Sequence, residues 1–149
     1  MKNLLFVLAF LAGFQISAQV KVASVDANGK ITVNENFQQV KEHFNKILRI
    51  NNENVVLQNI IIKSDRIDAK EDDHFYAYGS NKENSVKIAH ALTFDNGSLL
   101  FDKTYNRATT ICSGCSTGCH PKLGEDGIFL CTSCTDQSEC TKSSTVTSP

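Results

Sequence analysis

The stretch Val86-Lys87-Ile88-Ala89-His90-Ala91-Leu92-Thr93-Phe94, followed by Asp95-Asn96-Gly97 and Ser98-Leu99-Leu100-Phe101-Asp102-Lys103, decides the fold. Val86, Ile88, His90, Leu92 and Phe94 alternate with Lys87, Ala89, Ala91 and Thr93. Side chains on a strand point to opposite faces in turn, so this pattern predicts a half-buried strand. Asn96-Gly97 supplies the left-handed backbone that a tight turn demands, and Leu99, Phe101 and Lys103 then run back. Asn96-Gly97-Ser98 also fits a glycosylation acceptor. The turn is the preferred reading, because it explains the flanking strands as well.

Working toward the N-terminus, Phe75 to Tyr78 is a short aromatic strand, and Val55 to Ile62 is dense in β-branched residues. A charged connection, 65–73, lies between them. Phe37, Val40, Phe44, Ile47 and Leu48 share one face at helical spacing, with Asn36 as the expected cap, Gln39 completing a capping-box-like pair, and Asn51-Asn52 as the stop. Val20 to Val25 alternates, and Asp26-Ala27-Asn28-Gly29 turns it into Ile31-Thr32-Val33. The expected architecture is α+β: an N-terminal hairpin and one helix packed on an antiparallel β-meander, followed by a small irregular Cys-rich module. Three segments are expected: 1–18, 19–110 and 111–149.

Residues 1–18 read as a secretory signal peptide. Lys2 supplies the positive start, Leu4 to Phe14 is an uncharged apolar run, and Ser17-Ala18 precedes a cut at Gln19. The run is short for a bilayer span and no second one follows. No Cys lies near the cut, so neither a lipid anchor nor a transmembrane segment is expected. The expected location is secreted or periplasmic. Fifteen Lys plus Arg face sixteen Asp plus Glu, a net charge of −1, so there is no electrostatic footprint for nucleic acid. The partner expected is a protein or another extracellular ligand, of unstated identity.

All six Cys fall in the last segment: Cys112, Cys115, Cys119, Cys131, Cys134 and Cys140. Three readings compete. The preferred one is disulfides. Export selects an oxidising compartment, the count is even, and this segment has few large apolar side chains with which to build a core. Crosswise pairing between the early and late Cys is expected, although the count alone allows fifteen connectivities. The alternative is zinc. Cys112/Cys115 and Cys131/Cys134 are two Cys-x-x-Cys pairs with zinc-ribbon spacing, and Gly124, Asp126 and Gly127 suit the hairpin between them. By spacing alone the segment resembles a zinc ribbon, which implies a four-thiolate site at Cys112, Cys115, Cys131 and Cys134. His120 is a substitute ligand. The third reading is a periplasmic thiol redox or electron-transfer protein. Cys115-x-x-x-Cys119-His120 is one residue longer than a haem attachment pattern, and neither Cys-x-x-Cys pair opens a helical pattern as a thioredoxin-like dithiol does. No cofactor is expected on the preferred reading.

Two histidines stand out. His90 lies on the apolar face of a strong strand, where a satisfied core histidine is the default reading. His74 follows Glu71, Asp72 and Asp73, a set able to hold a cation, but the stretch lacks calcium-loop spacing and reads as a solvated loop. No nucleophile elbow, zinc-protease helix, phosphate loop or dinucleotide fingerprint is present. The expectation is a non-enzymatic binding or structural protein.

Overall fold

The computed structural model describes residues 19–65, 73–102, 109–115, 118–124, 128–134 and 139–145. The expected signal segment 1–18 lies outside them, as do Glu71 and Asp72. The described residues are mostly antiparallel sheet with one α-helix.

The expected N-terminal hairpin is present as β1 (Gln19–Val25) and β2 (Ile31–Val33). The Asp26 carboxylate accepts from the backbone N–H of Asn28 and of Lys30, and Gly29 takes φ +77°. A short 3-10 turn, Glu35–Phe37, leads into the helix α1, Gln38–Ile50. The cap differs from expectation. Asn34 caps the turn by accepting from the Asn36 N–H, while the Asn36 side chain donates to the Lys21 carbonyl and so ties the turn to β1. An extra 3-10 turn moves the cap two residues upstream. The buried stripe of α1 is Val40, Phe44, Ile47 and Leu48, as its spacing predicts.

The remaining strands are β3 (Leu57–Asp65), β4 (His74–Asn81), β5 (Lys87–Ala91), β6 (Thr93–Asp95), β7 (Ser98–Asp102), β8 (Thr109–Ser113), β9 (Pro121–Leu123), β10 (Phe129–Cys131) and β11 (Thr141–Thr145). They do not form one meander. A four-stranded sheet has the order β2-β1-β7-β6, a five-stranded sheet the order β11-β8-β5-β4-β3, and β9 and β10 make a separate hairpin. The strand read as continuous from Val86 to Phe94 is two strands in two sheets. The break falls at Leu92, whose side chain is buried and whose N–H donates to the Phe75 carbonyl at 2.8 Å. The sequence alternation runs on past the bend and so does not mark the crossing, but Phe94, expected on the buried face, is 50% exposed on β6. The Asn96-Gly97 turn then closes β6 onto β7 with φ +46° and +74°, the positive pair of a tight hairpin.

One core joins the two sheets and the helix. Val40, Phe44, Ile47 and Leu48 of α1 cluster with Val22, Leu99 and Phe101 of the smaller sheet and with Ala77, Ile88 and Ile111 of the larger. Gly79 makes the fit possible. A Cβ there would come within 3.3 Å of the Phe44 ring and within 3.1 Å of Leu57 and Ile88. The missing side chain is therefore the dent into which Phe44 packs.

The described residues of the C-terminal region include short regular strands. Four of the strands, β8 to β11, belong to it or enter it. The expected limit at 110/111 falls within β8, which pairs with β5 through Lys87↔Cys112, Ile88↔Ile111 and Ala89↔Thr110. Backbone pairing needs no apolar side chains, which is how a segment poor in them acquires regular structure.

Candidate functional site: a triple-disulfide hairpin seated on the sheet

The register of the larger sheet sends Ile88 and Ile111 toward α1 and sends Lys87, Ala89 and Cys112 to the opposite face. That opposite face carries Tyr76 and Tyr78 of β4 and Ala89 and Ala91 of β5. The sequence pattern marks it as solvent-facing. In the structure the β9–β10 hairpin covers part of it. Phe129 is 2% exposed and meets the Tyr76 ring edge-on at 5.2 Å, with Leu123 and Ala89 in the same cluster. The two alanines leave room for the hairpin's side chains.

Three disulfides hold this arrangement: Cys112–Cys131, Cys115–Cys134 and Cys119–Cys140, with Cα separations of 5.6, 5.8 and 6.1 Å. The pairing is crosswise between early and late Cys, and no Cys is free. Cys112 on β8 and Cys131 on β10 clip the hairpin to the sheet, and Cys140 anchors the approach to β11. The six sulfurs fall into two groups of three. The Sγ atoms of Cys112, Cys131 and Cys140 lie within 4.8 Å of one another, as do those of Cys115, Cys119 and Cys134.

Lys87 is the polar member of the site that sequence reading missed. It is 7% exposed, and its ammonium donates to the carbonyls of Gly118 (2.9 Å) and Cys119 (3.2 Å). Burial, then the charge of Lys63, lowers its pKa from the ordinary 10.5. Gly118 has φ +73°, and a Cβ there would run into the Asn84 carbonyl and the Lys87 ammonium. The signal available in the sequence was a lysine between apolar neighbours on a strand, which is indistinguishable from an outward-facing charge. Lys63 lies over the Tyr78 ring at 3.7 Å from its centroid, a cation–π contact on the same face. Burial first raises the pKa values of Tyr76 and Tyr78 from 10.0, with Asp65 adding to the effect at Tyr76 and Tyr76 at Tyr78.

His120 is exposed. Its backbone N–H donates to Thr132 Oγ1 at 3.1 Å, and its ring Nδ1 lies 3.4 Å from the same oxygen. Cys115 and Cys119, the pair in the haem-like pattern, are joined to different partners. His90 is buried, and its Nδ1 lies 2.9 Å from Thr109 Oγ1. His43 Nε2 lies 3.0 Å from the same hydroxyl, and both rings pack edge-on against Phe101. His74 begins β4, apart from the cysteine cluster.

The fold and the site define a class: a sheet-dominated protein with a Cys-rich C-terminal region closed by three disulfides. No family model, curated protein or solved structure matches the chain. No described helix is long and apolar enough to cross a membrane.

Proposed function

We propose that this is an exported, non-enzymatic binding or structural protein whose disulfide-closed hairpin is its recognition element. The observation that carries this reading is the seating of the hairpin. Phe129 and Leu123 anchor it to the sheet, three bridges fix it, and Leu130 and Ile128 stand outward at 55% and 49% exposed. Rigid presentation of apolar side chains lowers the ordering cost of binding. Three disulfides also accord with an oxidising compartment.

The second reading is a zinc ribbon. It rests on the ribbon spacing of Cys112, Cys115, Cys131 and Cys134, which the bridges join as two separate pairs, Cys112–Cys131 and Cys115–Cys134. One experiment separates the two. Secreted full-length chain is purified without reductant, alkylated, and its intact mass and zinc content measured. A chain beginning at Gln19 with no alkylated Cys supports the first reading. Alkylation of the Cys only after chelation, with stoichiometric zinc beforehand, replaces it with the second.

A further inference from the structure

Each disulfide joins one buried cysteine to one partly buried cysteine. Cys112, Cys115 and Cys119 are buried, and their partners Cys131, Cys134 and Cys140 are partly accessible. The bridges also lie in series. Cys140 Sγ is within 4.8 Å of the Cys112–Cys131 pair, and Cys119 Sγ is within 4.8 Å of the Cys115–Cys134 pair. Cys119–Cys140 therefore has one end against each of the other two.

We propose that the three bridges form a thiol–disulfide exchange relay, which takes two electrons from an external dithiol at Cys131 and delivers a reduced sulfur at Cys115. The attacking thiolate of the dithiol bonds to the accessible Cys131 sulfur, the Cys112–Cys131 bond breaks, and Cys112 leaves as a thiolate. The second sulfur of the dithiol closes its own ring, leaving as a cyclic disulfide and releasing Cys131 as a thiol. Cys112 attacks Cys140. The Cys112–Cys140 bond forms, Cys119–Cys140 breaks, and Cys119 leaves as a thiolate. Cys119 attacks Cys134. The Cys119–Cys134 bond forms, Cys115–Cys134 breaks, and Cys115 leaves and takes a proton from water. The dithiol has lost two electrons, two protein thiols have appeared, and two bridges remain. The internal steps exchange partners with no net redox change.

Proximity sets the order. Attack at Cys131, the less buried cysteine of its bridge, releases Cys112, whose Sγ lies within 4.8 Å of Cys140; displacement there releases Cys119, whose Sγ lies within 4.8 Å of Cys134. The Lys87 ammonium lies on the Gly118–Cys119 carbonyls, and a neighbouring cation favours a thiolate leaving group. Opening Cys112–Cys131 also unclips β10 from β8 and leaves the hairpin held on the Tyr76 face by the packing of Phe129 and Leu123, so that it lifts more readily. The relay thus couples the redox state of a dithiol partner to exposure of that face.

The test treats the oxidised full chain with one equivalent of dithiothreitol under native conditions. The sample is quenched by alkylation, and thiols and bridges are mapped by mass spectrometry. The relay gives alkylated Cys131 with alkylated Cys115 and the bridges Cys112–Cys140 and Cys119–Cys134, or, caught one step earlier, alkylated Cys131 with alkylated Cys119 and the bridges Cys112–Cys140 and Cys115–Cys134. Alkylation confined to the native pairs overturns it, as does resistance of all three bridges or a statistical spread over every pair. The double variant C119S/C140S removes the middle bridge. It should restrict alkylation to Cys112 with Cys131 or Cys115 with Cys134, and Cys131 appearing with Cys115 in that variant also overturns the relay.

Discussion

At the residue scale, Thr109 is decisive. One hydroxyl has one proton, so it donates to at most one of the two ring nitrogens near it and accepts from at least one. At least one of His43 Nε2 and His90 Nδ1 must therefore carry a proton. Thr109→Val keeps the shape and removes both bonds; the expected loss is about 1–3 kcal/mol, read by denaturant unfolding. An unchanged midpoint would remove the hydroxyl from the account. The burial of His90 was legible from its place in the alternation, whereas its Thr109 partner was not, because the two meet only through the pairing of β5 with β8. His120 supplies a pH dependence. Burial first, then the charges of Lys87 and Lys63, hold its pKa below 6.5. As pH falls through 6.5 the unfolded chain takes up the proton before the folded one, so stability drops until the folded pKa is passed. The effect is small because the ring is exposed to screening solvent. His120→Gln should flatten this acid-side slope in thermal melts, and an identical slope in both proteins would contradict it.

At the element scale, the hairpin depends on one anchor and one turn. Phe129→Ala removes the ring that meets Tyr76 and should destabilise by about 3–5 kcal/mol, with the hairpin amides losing protection from hydrogen exchange. Protection unaltered there would mean that the disulfides alone hold the hairpin. Gly118→Ala meets both a positive φ and the Asn84 carbonyl, and a cost of about 1–3 kcal/mol from backbone strain is expected in the same assay. The helix, both Asn-Gly turns and the first hairpin were readable, because periodicity and turn chemistry are local. The hairpin's seat was not readable. Ala89, Ala91 and Lys87 look solvent-facing in sequence, and what covers them lies about thirty to forty residues further along the chain. No local pattern encodes a lid supplied from so far away.

At the scale of the whole molecule, cysteine-free packing and cysteine-dependent packing are spatially separate. The main cluster around Phe44, Ile88 and Phe101 includes no cysteine, while the outer face relies on the three bridges. Each bridge spans 19 to 21 residues and so contributes about 3 kcal/mol by restricting the unfolded chain. Full reduction should therefore lower the unfolding midpoint, with amides of the hairpin and β11 exchanging first while those of α1 and β4 stay protected. Uniform loss of protection would show instead that the molecule depends on its bridges as one unit. Disulfides were expected from the even count and the expected export, and crosswise pairing was expected beside them, but the choice among fifteen connectivities needed the sheet. β11 runs antiparallel along all of β8, from Thr141↔Ser113 to Thr145↔Thr109. A chain cut just after Cys140 would keep every sulfur–sulfur bond and yet strip the final ribbon from its neighbour. The bared peptide groups of 109–113 would then be a template for other molecules, so such a truncation should remain oxidised while losing its solubility.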